Sequence, residues 1–194
     1  MIRVLVVDDH PAVRAGLVNL LRLEPGLVPL PAVPSAAAAL EQSGRERPDV
    51  VVLDYNLPDC DGLVLCCDLK ALPDPPRVVV YSAFARPGLT PVAAVAGADA
   101  ILDKGTPPEL LFETVRRVVG GIAEPLTAPP EAIQRLVSEL DPADVSLFGL
   151  AFNGVPAAEI ASLERAELSE TRSRLRALVS RLGRSEAAVV SADG

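Results

Sequence analysis

Short aliphatic runs, each leading into an acidic or small polar residue or toward the lysine, recur through the first 124 residues with amphipathic stretches between them. Residues 2–7 end at Asp8-Asp9, residues 49–53 lead into Asp54, residues 77–81 into Ser82, and residues 100–102 toward Lys104. Runs this apolar have no polar face to show to water, which makes them strands of a parallel sheet covered on both sides. His10-Pro11 opens a helix in which Val13, Leu17, Leu20 and Leu21 recur at helical spacing, and Pro25-Gly26 closes it. Residues 27–33 read as a further strand, and Pro29 and Pro31 place it at an edge because proline cannot donate to a ladder. Helical stretches follow at residues 36–42, 62–72, 91–96 and 108–119. Strands and helices alternating five times predict an α/β fold, a doubly wound parallel sheet. Right-handed crossovers and the proline-bearing edge give the order 2-1-3-4-5.

Residues 120–130, with two glycines and three prolines, mark a boundary, and the pattern beyond them is all helical. Helices are expected at residues 132–140, 143–152, 157–163 and 168–182. The organisation predicted is a first domain at 1–120, a linker and connecting helix at 121–138, a four-helix domain at 139–183 and a frayed tail at 184–194. No membrane segment is expected: the longest uncharged stretch, residues 25–40, carries four prolines, and a span needs roughly 18 or more continuous apolar residues. A cytoplasmic protein with no membrane partner is the expectation. The formal charge of −8 disfavours generic nucleic-acid binding, so any such role needs a local basic patch. Cys60, Cys66 and Cys67 lack the paired spacing of a zinc site and read as small buried thiols.

In such sheets ligands sit beyond the carboxyl ends of the strands. That edge gathers Asp8 and Asp9, Asp54, Ser82 and Lys104. Three carboxylates together repel unless a cation joins them, and an oxygen-rich, partly solvated cluster suits Mg²⁺. A carboxylate held there can attack a phosphoryl group if cations neutralise the transferring oxygens, and Lys104 and the Ser82 hydroxyl supply a cation and a donor. Lys104 is one of only two lysines against 16 arginines, so a compact point charge is wanted there. His10, the only histidine, reads as a rim or capping residue.

Val4-Leu5-Val6-Val7-Asp8-Asp9-His10-Pro11, Asp54-Tyr55-Asn56-Leu57-Pro58-Asp59-Cys60-Asp61-Gly62, Val79-Val80-Tyr81-Ser82-Ala83 and the stretch from Gly97-Ala98-Asp99 to Lys104 resemble the signatures of two-component receiver domains. The resemblance covers about residues 1–120 and implies a phosphorelay. Asp54 is then the residue phosphorylated by a sensor histidine kinase. Asp8, Asp9 and Asp54 hold Mg²⁺ together with the Asn56 backbone carbonyl, while Ser82 and Lys104 engage the phosphoryl oxygens. The family's aromatic switch position is occupied here by Ile101, whose branched side chain cannot repeat a ring swing; Tyr81 and Phe84, around the end of the neighbouring fourth strand, are the candidate aromatics to contribute in its place.

Leu140-Asp141-Pro142, Gly154, Glu159-Ile160-Ala161, Leu175, Leu178 and Leu182-Gly183 resemble, more faintly, the helix-turn-helix output domain of NarL/FixJ (LuxR-type) regulators. The usual turn glycine is absent from residues 163–168. Glu167-Leu168-Ser169-Glu170-Thr171 replaces the common start of the recognition helix, with Ser169 as a candidate N-cap. The resemblance implies a transcription regulator that dimerises on double-stranded DNA. Residues 171–184 hold five arginines and no acid, and Arg172, Arg174, Arg176 and Arg181 are the candidate DNA contacts. The alternative is a receiver coupled to a helical interaction module without DNA affinity: no Gly or Pro interrupts residues 157–182, and Leu168, Leu175 and Leu182 recur every seven residues. No enzymatic activity is expected beyond phosphorylation and dephosphorylation of Asp54.

Overall fold

The computed structural model describes residues 1–83, 88–122 and 124–192. The first half alternates β1 (Ile2–Val7), α1 (Pro11–Leu23), β2 (Leu27–Pro29), α2 (Ala36–Glu46), β3 (Val50–Leu53), α3 (Gly62–Lys70), β4 (Arg77–Ser82), α4 (Leu89–Val95), β5 (Ala100–Asp103) and α5 (Pro108–Val119). The strands form one parallel sheet in the order β2-β1-β3-β4-β5, as the sequence predicts. β2 is shorter than the expected 27–33 because Pro29 and Pro31 supply no donors. The segment still follows β1, with the Leu30 and Val33 N–H groups donating to Val4 and Val6 carbonyls.

The register of the central strands builds the functional edge. Val7 pairs with Leu53, Leu53 with Val80, and Val80 with Ile101. The residues that follow, Asp8, Asp54 and Tyr81-Ser82, therefore emerge side by side. β1, β3 and β4 are buried on both faces, Val4–Val7, Val50–Leu53 and Val78–Val80 being at most 2% exposed. One face is covered by α1 and α5 through Leu17, Leu21, Leu111, Phe112, Val115 and Val118. α2, α3 and α4 cover the other.

Four helices follow: α6 (Pro130–Ser138), α7 (Pro142–Phe152), α8 (Ala157–Glu164) and α9 (Leu168–Ala192). They fall where helices were expected at 132–140, 143–152, 157–163 and 168–182, except that the last runs on. Buried Leu136 of the connecting helix α6 joins the same core as Leu147 and Leu178. Arg165, at a left-handed φ of 55°, caps α8, so residues 157–182 form two helices and not the single one that the interaction-module alternative allows. α9 begins at Leu168, ahead of Ser169. No frayed tail starts at Arg184: α9 continues to Ala192, held at its exit by Ser185 donating to Glu139 and by a Glu186–Arg135 ion pair.

The helical unit is not separate from the sheet domain. Leu175, Leu178, Val179 and Leu182 of α9 are buried in one continuous cluster with Leu65 and Leu69 of α3 and Val92 of α4. Each such side chain contributes about 1.5–3 kcal/mol of burial. Leu175 and Leu182 of the seven-residue leucine spacing are thus covered within the chain. Among the described residues no helix is long and apolar enough to cross a membrane.

Candidate functional site

β1 delivers Asp8 and Asp9 to the edge and then turns into α1 at His10-Pro11. Asp8 Oδ1 accepts from the His10 N–H at 2.8 Å, which fixes the carboxylate as the chain leaves the strand. β3 delivers Asp54, only 5% exposed. Gly62 is demanded at the start of α3: a Cβ there would stand 2.2 Å from the Asp54 carbonyl, inside any permitted contact. Ser82 is fully buried at the end of β4, and its carbonyl accepts from the Lys104 N–H at 3.0 Å. That bond brings the residue after β5 alongside the hydroxyl-bearing strand end.

Lys104 spans the cluster. Its Nζ lies 2.6 Å from Asp8 Oδ2 and 2.8 Å from Asp54 Oδ2, with the lysine side chain 18% exposed. Burial raises the Asp54 pKa and the Asp8 charge raises it further, against the lowering effect of Lys104 and of the Asn56 N–H. Burial alone would lower the Lys104 pKa, but its bonds to Asp54 and Asp8 overcome that and hold it above the usual lysine value. One cation thus serves two carboxylates, with Asp9 uncompensated by it.

Ligand atoms of Asp8, Asp9, His10 and Asp54 all lie within 4.8 Å of one another. Asp9 Oδ1 is shielded from solvent and lies 2.5 Å from His10 Nδ1. Oxygen-dominated donors with an excess of negative charge fit a divalent cation. His10 sits at the α1 N-cap position but its side chain makes no capping bond; it borders the cluster instead.

Ile101 lies in β5 beside Val80 and packs partly buried against the core, with no polar group to reorient. Tyr81 donates to the Lys104 carbonyl at 3.3 Å. Phe84 lies outside the described residues.

The structure puts the candidate DNA contacts elsewhere, and it engages three of the four. Arg174 pairs with Glu164 at 2.6 Å, Arg176 with Asp68 of α3 at 2.9 Å, and Arg181 with Asp144 at 2.6 Å. Acids from α3, α7 and α8 thus reach the basic face of α9 in this placement of the helix. Among the described residues Arg172 makes no ion pair, and it lines a cleft of about 960 Å³ between the α3 and α4 ends and the α7–α8 turn. The three cysteines are free. Burial pushes the Cys66 thiol up to about 12 and Cys60 to about 11, so neither is a nucleophile at neutral pH.

Two residues near the site escape the sequence reading. Tyr55 and Asp61 border the loop between β3 and α3. Asp61 caps α3 by accepting from the Leu63 N–H at 2.7 Å, and the Tyr55 hydroxyl lies against it. An Asp directly before an apolar helix was a readable cap signal; the tyrosine gave none.

An open α/β sheet with three acids, a buried hydroxyl and a bridging lysine at its carboxyl edge is the architecture of a receiver-type domain. The profile of the response regulator receiver domain matches residues 4–116, and the chain belongs to that family. It is 36% identical over 120 residues to the transcriptional activator ExaE of Pseudomonas putida, covering 62% of this chain and 56% of that protein. Identity to DevR/DosR, a DNA-binding transcriptional activator of Mycobacterium tuberculosis, is also 36%, over 121 residues with the same coverages. The chain thus spans little more than half the length of these relatives. The nitrate/nitrite response regulator NarL of Escherichia coli is 26% identical over 179 residues, 87% of this chain and 82% of that protein. Among solved structures, the receiver domain of NarL from M. tuberculosis has a TM-score of 0.57 at 33% identity, covering 62% of this chain and 97% of that one. RcsB of Salmonella typhimurium has a TM-score of 0.58 over 94% of this chain and 92% of its own; at 19% identity it shows the fold alone.

Proposed function

We propose that this chain is a phosphorylation-controlled transcription regulator. Its receiver half takes a phosphoryl group on Asp54 from a sensor histidine kinase, and its helical half binds double-stranded DNA. The observation that carries the reading is the Lys104 ammonium between Asp8 and Asp54. It neutralises a buried carboxylate and stands ready for the oxygens of a group placed on it. An Asp54 carboxylate oxygen attacks phosphorus, the P–N bond of the donor phosphohistidine breaks, and its electron pair stays on the imidazole. Lys104 exchanges a carboxylate partner for a phosphoryl oxygen, and the Ser82 hydroxyl donates to another. Asp8, Asp9, Asp54 and the Asn56 carbonyl would hold Mg²⁺, which supplies charge neutralisation to the transferring oxygens.

DNA contact requires a different placement of α9, because Arg174, Arg176 and Arg181 are spent on intramolecular acids. The structure thus represents the resting form: the active form frees Arg176 from Asp68 of the receiver, exchanges the acids on Arg174 and Arg181 for DNA phosphates, and pairs as a homodimer on a two-fold site. Leu20 and Leu23 of α1 and Leu110 of α5 leave apolar side chains exposed on the face opposite α9, which supports pairing there. The engaged arginines also favour a second reading, a helical interaction module without DNA affinity. Steep salt dependence of DNA binding separates the two, since only phosphate contacts release counterions.

The phosphoacceptor is tested with acetyl phosphate. Wild type is expected to incorporate phosphate in a Mg²⁺-dependent manner, and Asp54→Asn to incorporate none. Persistent labelling of the variant would move the acceptor elsewhere.

A further inference from the structure

α9 meets the receiver at the loops that carry the phosphoacceptor chemistry. The Gly183 carbonyl of α9 lies 3.2 Å from the hydroxyl of Tyr55, the residue directly after Asp54. A Cβ at Gly183 would stand 2.7 Å from Asp61 Oδ2 and 3.6 Å from the Tyr55 oxygen, so this turn of α9 sits directly on the loop and a side chain there would have to displace the Asp61 carboxylate. Gly183 is buried in a helix whose interior otherwise gains from any residue with a Cβ. The same loop closes on the phosphoacceptor: the Gly62 N–H donates to the Tyr55 carbonyl at 2.7 Å, and Gly62 has no room for a Cβ beneath the Asp54 carbonyl. One turn further along α9, Glu186 pairs with Arg135. A Cβ at Gly88, the α4 N-cap on the side of Ser82, would overlap that pair. The β3–α3 loop and the N-cap of α4 thus both lie against the end of α9.

We infer that the Tyr55–Asp61 seat for Gly183 is the element that couples Asp54 to the placement of α9. It rests on the reading of Asp54 as phosphoacceptor and supplies the route that Ile101, packed and apolar, does not. Phosphorylation adds about −1.5 to −2 charges one residue from the seat. Asp61 and Glu186 already place negative charge around the Tyr55 hydroxyl, so the loop that accommodates the phosphoryl group is the loop that α9 rides on. Tyr55 donates its single proton either to the Gly183 carbonyl or to Asp61, and a shift of the loop breaks the first bond without unfolding either partner. Coupling of this kind is reciprocal: a weakened seat favours the phosphorylated arrangement by the same factor.

The chain carries its own reporter. Cys67 lies on α3 beside Arg176 of α9, whereas Cys66 is fully buried within the receiver core. Alkylation of each thiol in the full-length protein is read by mass spectrometry, with and without beryllofluoride plus Mg²⁺, and ¹⁹F NMR establishes whether beryllofluoride is bound. Wild type is expected to bind it and to label several-fold faster at Cys67, with Cys66 unchanged. Tyr55→Phe is expected to raise Cys67 labelling about fivefold without beryllofluoride, the effect of one ordinary net hydrogen bond, and to shrink the further response. Gly183→Leu acts in the same direction and more strongly; if it also exposes Cys66, the fold is lost and Tyr55→Phe decides. Bound beryllofluoride with Cys67 labelling indifferent to Tyr55→Phe overturns the coupling alone. No bound beryllofluoride in wild type overturns the reading of the Asp54 pocket, and the coupling with it.

Discussion

Asp54 is a charge kept where the fold would rather have none. Burial raises its pKa above the ordinary carboxylate value of 3.8. The stability tied to this group is therefore full below that value and lost as pH rises through the folded-state pKa. At pH 7, in the absence of metal, Asp54→Asn is expected to melt above wild type, each ~1 kcal/mol of relief raising the midpoint by about 2–4 °C in a chain of this size. The gain should vanish below about pH 4, where Asp54 is protonated in both states. Calorimetry across that range checks it, and a destabilised Asn variant at pH 7 would mean that the Lys104 pair outweighs the burial cost. Which residues gather here was legible in the sequence, since strand ends are fixed by where aliphatic runs stop. The sharing of Lys104 between Asp8 and Asp54 was not, because it depends on side-chain reach across 96 residues.

At the scale of elements, helix ends are finished by residues distant in sequence. Asp59 accepts from the Ala36 and Ala37 N–H groups at 2.9 and 3.0 Å, so the β3–α3 loop caps α2 alongside Ser35. Those N–H groups lower the Asp59 pKa, which makes its contribution present at neutral pH and lost as pH falls through the folded value. Asp59→Ala should cost about 0.5–2 kcal/mol in a urea titration at pH 7, and the difference from wild type should shrink in acid. Ser35 was readable as a cap from its place before an alanine run; Asp59 was not, because nothing local ties it to α2. The same limit applied to α9. Its leucine spacing showed that one face is covered, and only the folded chain shows that α3 and α4 cover it. Proline content shortened β2 for the reason the sequence already gave.

For the molecule as a whole, the docked α9 sets two uses of its arginines against each other. Asp68 holds Arg176 on the receiver. Asp68→Ala is expected to raise DNA affinity of the unphosphorylated protein a few-fold, because it loosens the dock and leaves every arginine in place. Arg172→Ala combined with Arg176→Ala is expected to reduce affinity of the activated protein and flatten its salt dependence by about two units of slope. Fluorescence anisotropy at several salt concentrations reads both. An unchanged slope in the double variant would remove α9 from the DNA interface. The pairing of the two results matters, since a merely destabilised chain would lose affinity in both cases.

Occupancy of the Asp54 pocket should govern DNA binding by the intact chain. Full-length protein is incubated with genomic fragments at two salt concentrations, with and without beryllofluoride plus Mg²⁺, and bound fragments are sequenced. Enrichment of a two-fold symmetric site that needs beryllofluoride and falls steeply with salt is the predicted result. Enrichment indifferent to beryllofluoride, or none in any condition, would contradict it.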